Sequence, residues 1–206
     1  MERDKSLEKI EKRITGSIMG TVFVTSDFVD IASADTANRA LLRLVEKGLL
    51  RKIVRGVYEW PETNSFLKER VAVSPDKVAQ AIARNNNWTI VPSGNTSLNM
   101  LGLSTQVPAV WTYVSDGPYK EYRFDKVILK FKHTANKEVS SISYKSALVI
   151  QAIKALGKSE ISDKVVRQIS SLLTDEEKKA MLIETQYTTA WIYDVIREIA
   201  LNGESL

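Results

Sequence analysis

The chain has 206 residues, 44% of them hydrophobic and 26% charged, with a formal net charge of +4 and a pI near 9.1. That length leaves room for one large or two modest domains, and no apolar run reaches the roughly 20 residues that span a bilayer. Cysteine is absent, which excludes disulfides, thiolate metal sites and a cysteine nucleophile. The N-terminal run MERDKSLEKIEKR is charged and lacks the apolar centre of a signal peptide, so a cytoplasmic location with no membrane partner is expected. The positive balance is mild and does not by itself indicate nucleic acid. Residues 1–62 carry 11 basic and 10 acidic side chains, so their basic groups must be sorted onto one surface if this stretch is to meet DNA.

Residues 6–19 read as a first helix, because Leu7, Ile10, Ile14 and Ile18 recur at three- and four-residue steps with charges between them. Ser6 is a candidate cap, and Gly16 weakens the last turn. Residues 21–24 are a short β-prone run. Thr25 then offers an N-cap to a short apolar helix carrying Phe28, Val29 and Ile31. Residues 32–35 make a turn, and a second helix is expected over about 36–47, ending at Gly48 as a C′ glycine. Ala37, Leu41, Leu44 and Gly48 recur at helical spacing and face inward. Thr36, Arg39 and Arg43 then share an outer stripe, with Asn38 beside them. Residues 49–53 and 57–60 read as two strands joined by Val54-Arg55-Gly56, in which Gly56 is free to take positive φ. Arg51, Lys52 and Arg55 make this hairpin basic.

Three helices followed by a basic hairpin is the order of a winged helix-turn-helix. The physics suits DNA: a helix fits the major groove, long basic side chains reach guanine edges or phosphates, and a basic wing rides on the backbone. The candidate DNA contacts are Thr36, Asn38, Arg39, Arg43, Arg51, Lys52 and Arg55. The alternative is a winged helix used for protein contacts.

The first domain is expected to end at residue 62, with 63–73 as a linker and 74–206 as a second, α+β domain ending in helices. Ser74-Pro75-Asp76 starts a helix to about Asn85, with Val78, Ala79, Ile82 and Ala83 inward. Residues 88–91 form a short strand, and Pro92-Ser93-Gly94 leads to a helix closed by Gly102. Residues 109–114 are β-prone. Residues 120–124 and 127–133 form a hairpin turning at Asp125-Lys126, with Val127, Leu129 and Phe131 on one face and Ile128, Lys130 and Lys132 on the other. From Ser143 the pattern is helical: about 144–156, about 162–172, one from Thr174, and, after a break near Thr188, one to Leu201.

In the second hairpin Lys120, Arg123, Lys126, Lys130, Lys132 and Lys137 stand against Glu121, Asp125 and Glu138, with Tyr119, Tyr122 and Phe124 interleaved. That mix suits backbone contact and base stacking on DNA or RNA, and a solvated strand face over core aromatics accounts for it too. His133, the single histidine, reads as an exposed strand residue rather than part of a triad. Asp116, Glu121 and Asp125 near Lys126 and Lys130 faintly suggest a nuclease metal site, but their spacing fits no motif. Ser93-Gly94-Asn95 opens a helix that can hold a phosphate, although an ordinary capped start is the simpler reading. Ser104-Thr105-Gln106 reads as polar loop packing. No catalytic, cofactor-binding or metal-ligating residue is nominated.

The segments FVTSDFVDIASADTANRALLRLVEKGLLRKIVRGVY and PSGNTSLNMLGLSTQVPAVWTYVSDG, in this order, resemble the AbiEi-like antitoxin and transcriptional regulator family of bacteria and archaea. The likeness covers roughly residues 5–155, and the run from Gly102 to Pro108 is its most specific part. The resemblance implies an N-terminal winged helix that binds operator DNA and represses its own operon, and a second domain with antitoxin activity. It also implies a neighbouring nucleotidyltransferase-like toxin within a toxin–antitoxin, phage-defence (abortive infection) module, often countered without a stable complex. The match covers Thr36, Arg39 and Arg43 on the recognition helix and Lys52, Arg55, Gly56 and Tyr58 on the wing. The expectation is a non-enzymatic autorepressor and antitoxin. The rivals are a plain winged-helix transcription factor with a ligand-sensing or dimerising domain, and a nuclease.

Overall fold

The computed structural model describes residues 2–64, 69–134 and 141–202, and it is a mixed α+β fold. The chain divides into two compact units, one of residues 1–88 with 122–126 and the other of 89–121 with 127–206. The division falls at residue 88, and the stretch read as a linker, 63–73, carries two paired two-residue strands, β4 (Thr63–Asn64) and β5 (Glu69–Arg70).

The first unit begins with α1 (Glu2–Thr15) and β1 (Val22–Val24), then a 3-10 turn at Thr25–Phe28. It continues with α2 (Ala34–Glu46), β2 (Arg51–Val54), β3 (Val57–Glu59) and α3 (Pro75–Asn86). Strands β1, β3 and β2 form an antiparallel sheet with β3 in the middle. Ile10, Ile14, Phe23, Phe28, Ala37, Leu41, Leu44, Leu50 and Tyr58 form its core.

Four local expectations are corrected. Helix α1 starts before Ser6, so Ser6 is not a cap, and it stops at Thr15, leaving Ile18 82% exposed. Thr15 Oγ1 and Ser17 Oγ donate to the carbonyls of Glu11 and Ile14 (3.0 and 2.6 Å) on either side of Gly16, so side-chain bonds end the helix. Thr25 lies inside the 3-10 turn, and the cap is supplied by Asp27, whose Oδ2 accepts from the Val24 N–H at 2.9 Å. That single turn presents only Phe28 inward, and Val29 is exposed. Gly48 is exposed rather than inward-facing. Its φ of 77° reverses the chain so that the Leu49 and Leu50 amides reach back to the Leu44 carbonyl.

Two arginines tie the unit together. Arg13 donates to both carboxylate oxygens of Asp30 (2.8 and 2.6 Å) and to the Asp27 carbonyl, and its guanidinium lies 5.8 Å from the centre of the Phe28 ring. The hydrogen bond with Asp30 holds Arg13 above its ordinary pKa and Asp30 below the usual carboxylate range. Arg84, on α3, donates to both oxygens of Asp27 (2.7 and 2.9 Å) and to the Val22 carbonyl. Helix α3 therefore folds as part of the first unit. Its start follows the sequence signal, with Ser74 Oγ accepting from the Lys77 N–H and proline in the first turn.

Strands β6 (Ile90–Pro92), β7 (Val110–Ser115), β8 (Lys120–Phe124) and β9 (Val127–His133) form the four-stranded sheet β6-β7-β9-β8, and all of it but residues 122–124 falls in the second unit. Strand β6 is antiparallel to β7, and β7 is parallel to β9. Asp125 takes a φ of 47° in the two-residue turn between β8 and β9, as a tight hairpin requires. Leu129 and Phe131 are fully buried, so the inward face of β9 follows its alternation.

Helices α4 (Asn95–Met100), α5 (Tyr144–Leu156), α6 (Asp163–Ser170), α7 (Asp175–Glu184) and α8 (Ala190–Leu201) complete the unit. Every residue of α5 from Ser146 to Ile153 is buried, so this helix, apolar on nearly all sides, is the centre of the core. Thr174 and Glu177 cap α7 reciprocally.

Polar residues of the segment from Pro92 to Pro108 are engaged internally. Thr96 Oγ1 accepts from the Thr112 N–H at 2.8 Å, Ser97 Oγ donates to the Gly94 carbonyl at 2.7 Å, and Asn99 Nδ2 donates to the Gln106 carbonyl at 3.1 Å. The 104–106 loop is held by these bonds, with Ser104 Oγ accepting from the Gln106 N–H.

Candidate nucleic-acid interface

Helix α2 is fixed by its apolar face, where Ala37, Ala40, Leu41 and Leu44 are buried. Ser33 caps it, accepting from the Thr36 N–H and donating to Thr36 Oγ1 at 3.1 Å. Burial of that face turns Arg39 and Arg43 outward, and both are exposed. Thr36, Arg39 and Arg43 line one small hollow of about 50 Å³ together with Leu7 and Ala40, so the stripe read from the sequence is contiguous. Arg39 makes an ion pair with Asp35, one turn earlier, at 2.9 Å. Arg43 has no ion-pair partner among the described residues.

Two of the seven candidates are committed elsewhere. Asn38 Oδ1 accepts from the Tyr58 hydroxyl at 3.2 Å, bonding α2 to the middle strand of the sheet. Burial pushes the Tyr58 phenol above its ordinary pKa, so it stays a donor. Arg51 Nε donates to Glu59 Oε2 at 2.9 Å. Nη2 lies 2.8 Å from the same oxygen without hydrogen-bond alignment, and Asp125 is 3.6 Å from Nη1. The Glu59 side chain is 3% exposed, so Arg51 neutralises a buried carboxylate and is not a surface cation. Lys52 and Arg55 are exposed and unpaired among the described residues, and Gly56 takes a φ of 78° at the turn between them and Val57.

Sequence reasoning missed Asp35, Glu59 and the Tyr58 hydroxyl as partners. The Asp35–Arg39 spacing of four was visible. The Arg51–Glu59 pairing was not, because it depends on a register that shifts between Lys52 and Val54.

The second basic surface is partly engaged. Lys130 lies 3.2 Å from Glu121, both half-buried. Lys120, Arg123, Lys126 and Lys132 are exposed. The division of the chain runs through this hairpin: Arg123 and Lys126 fall in the first unit, and Lys120, Lys130 and Lys132 in the second. Lys137 and Glu138 lie outside the described residues.

The three acids read as a faint metal site have separate partners or positions. Asp116 Oδ1 accepts from the Thr89 N–H at 2.8 Å, Glu121 faces Lys130, and Asp125 stands by Arg51. No group of three metal-ligating side chains is present among the described residues. His133 is exposed, and its Nδ1 donates to the Gly117 carbonyl at 3.0 Å. Ser93 Oγ donates to the Thr112 carbonyl at 3.5 Å.

The second unit also contains a cavity of about 470 Å³. Ile142, Ile150 and Ile192 line it, with Lys154, Glu184 and Thr188 as polar members. Partial burial raises the Glu184 pKa, but hydrogen bonds from Ser146 and Ser143 outweigh it, so the net pKa lies below the usual carboxylate range. Thr188 Oγ1 is buried with no hydrogen-bond partner among the described residues. No helix among the described residues is long and apolar enough to cross a membrane.

Fold and site together define a mixed α+β protein whose first unit exposes an arginine-bearing helix beside a basic hairpin. The chain belongs to a family of unknown function (DUF6088), which matches residues 9–181. It is also similar, at 12% identity and a TM-score of 0.39, to the crystal structure of the RV2827C protein from Mycobacterium tuberculosis. That alignment covers 89% of this chain and 72% of the other, and it is too loose to carry a functional argument. No curated protein matches the chain.

Proposed function

We propose that this chain is a DNA-binding autorepressor and antitoxin of a phage-defence module, countering a nucleotidyltransferase-type toxin. The observation that carries the DNA-binding half is the pair of exposed arginines, Arg39 and Arg43, on the outer face of a capped helix. Lys52 and Arg55 stand unpaired on the hairpin of the same unit. The order α1, β1, 3-10 turn, α2, β2, β3 supports reading this unit as a winged helix-turn-helix, with α2 taken as the recognition helix and β2–β3 as the wing. The antitoxin half rests on the family resemblance of the sequence.

The test is binding of the full chain to its own promoter DNA against a random duplex at two salt concentrations. A promoter preference that survives the higher salt is expected, because base contacts persist while phosphate contacts weaken. Equal, salt-sensitive binding to both duplexes removes the repressor reading. For the antitoxin half, Lys130→Glu with Lys132→Glu is expected to abolish rescue of cells expressing the neighbouring toxin while the protein stays folded. Full rescue overturns a role for that surface.

A second reading, a winged-helix regulator whose second unit senses a small molecule, is favoured by the 470 Å³ cavity. A volume of that size is typical of ligand pockets, and the unpartnered Thr188 hydroxyl provides a polar group within it.

A further inference from the structure

The two exposed arginines of α2 are chemically alike but differently held. Arg39 carries a carboxylate partner, Asp35, through Nη2 at 2.9 Å. Long helical side chains lean towards the N-terminus, and Asp35 lies one turn in that direction, so the pair draws the guanidinium towards the first half of α2 while both side chains stay exposed, at 60% and 69%. The Nε and Nη1 donors of Arg39 have no partner among the described residues. Arg43, about 6 Å further along the axis, has no carboxylate holding it among the described residues. Of the four candidates on this helix, Asn38 accepts from Tyr58 and Thr36 accepts from Ser33, so the two arginines are its long cationic side chains facing outward.

We infer that Asp35 is a positioning residue that makes Arg39 a reader of guanine, while Arg43 serves as a backbone-phosphate contact. This rests on the reading that the first unit binds duplex DNA. Guanine is the base whose major-groove edge presents two acceptors, O6 and N7, to a guanidinium. An arginine whose rotamers a neighbouring carboxylate narrows loses less conformational freedom on meeting that edge. A carboxylate at the protein–DNA face repels phosphate, so bulk electrostatics alone assigns Asp35 an unfavourable role. The two accounts therefore predict opposite signs for its removal.

The experiment selects from a library of random 20-bp duplexes with the full chain, then measures wild type and variants on the enriched site and on a random duplex. Wild type is expected to fix at least one guanine. Asp35→Asn should lower the preference for that guanine about tenfold, while binding to random duplex is unchanged or tighter because one negative charge is gone. Arg39→Lys should lose the same guanine, and the Asp35→Asn, Arg39→Lys double variant should lose no more. Arg43→Ala should weaken both duplexes alike and reduce the salt slope by about one. Asp35→Ser provides a second route should Asp35→Asn fold poorly, and melting curves check both. A guanine preference intact in both Asp35 variants, or equal loss on the two duplexes, overturns the positioning role. If wild type enriches no sequence at all, the DNA-reading function itself falls, a result distinguishable from failure of Asp35 alone.

Discussion

In the hairpin β2–β3, the cation that opens the first strand, Arg51, is spent on Glu59, a carboxylate with almost no exposure, while Lys52 and Arg55 stay unpaired at the surface. In the hairpin β8–β9, Lys130 faces Glu121 across the strands, and Lys132, two residues on, is exposed. The first hairpin carries three lysines and arginines and the second five, and in each the cations have different work. Availability is set by partner and position: Arg51 pairs with the buried carboxylate of Glu59, whereas Lys52, on the edge strand beside the register shift, is exposed although it stands opposite the buried Tyr58.

The largest expected effect follows from that contrast. Arg51→Ala leaves Glu59 buried without its counter-charge and should destabilise the first unit by about 3 kcal/mol in denaturant unfolding. If Arg51 were a surface DNA contact, the same change would leave stability intact and lower affinity alone. A variant as stable as wild type would break the comparison.

Lys52→Ala makes a smaller and different change. It should leave stability within about 0.5 kcal/mol, weaken binding to all duplexes by a similar factor, and flatten the dependence of log affinity on log salt by about one. A loss confined to one sequence would make Lys52 a base reader and move specificity onto the hairpin.

These outcomes mark where the sequence was readable. The outward stripe of α2 was legible, because burial of Ala37, Leu41 and Leu44 fixes the rotation of any helix that contains them. The helical C-terminal half was legible for the same reason, with Gly157, Thr174 and the break near Thr188 setting its ends. Gly48 was misplaced because helical periodicity was extended one residue too far, onto a position whose role is its positive φ. The internal partners of Arg51 and Asn38 were hidden for a different reason: Glu59 and Tyr58 are eight and twenty residues away. Neither pairing follows from local spacing, and the shifted register of β2 against β3 hides the first even from a correct strand assignment.

The smallest effect concerns the second hairpin. The Lys130–Glu121 pair is half-buried, and a pair of that kind contributes at most about 1 kcal/mol. A double-mutant cycle with Lys130→Ala and Glu121→Gln should therefore return a coupling energy below that figure. The cycle has a second use. If the face of β9 touches nucleic acid, Glu121 holds Lys130 back from phosphate. Glu121→Gln should then strengthen binding to a single-stranded or duplex probe, and Lys130→Ala should erase the gain. If Glu121→Gln leaves affinity unchanged, Lys130 serves the sheet alone, and the nucleic-acid surface is confined to α2 and its hairpin.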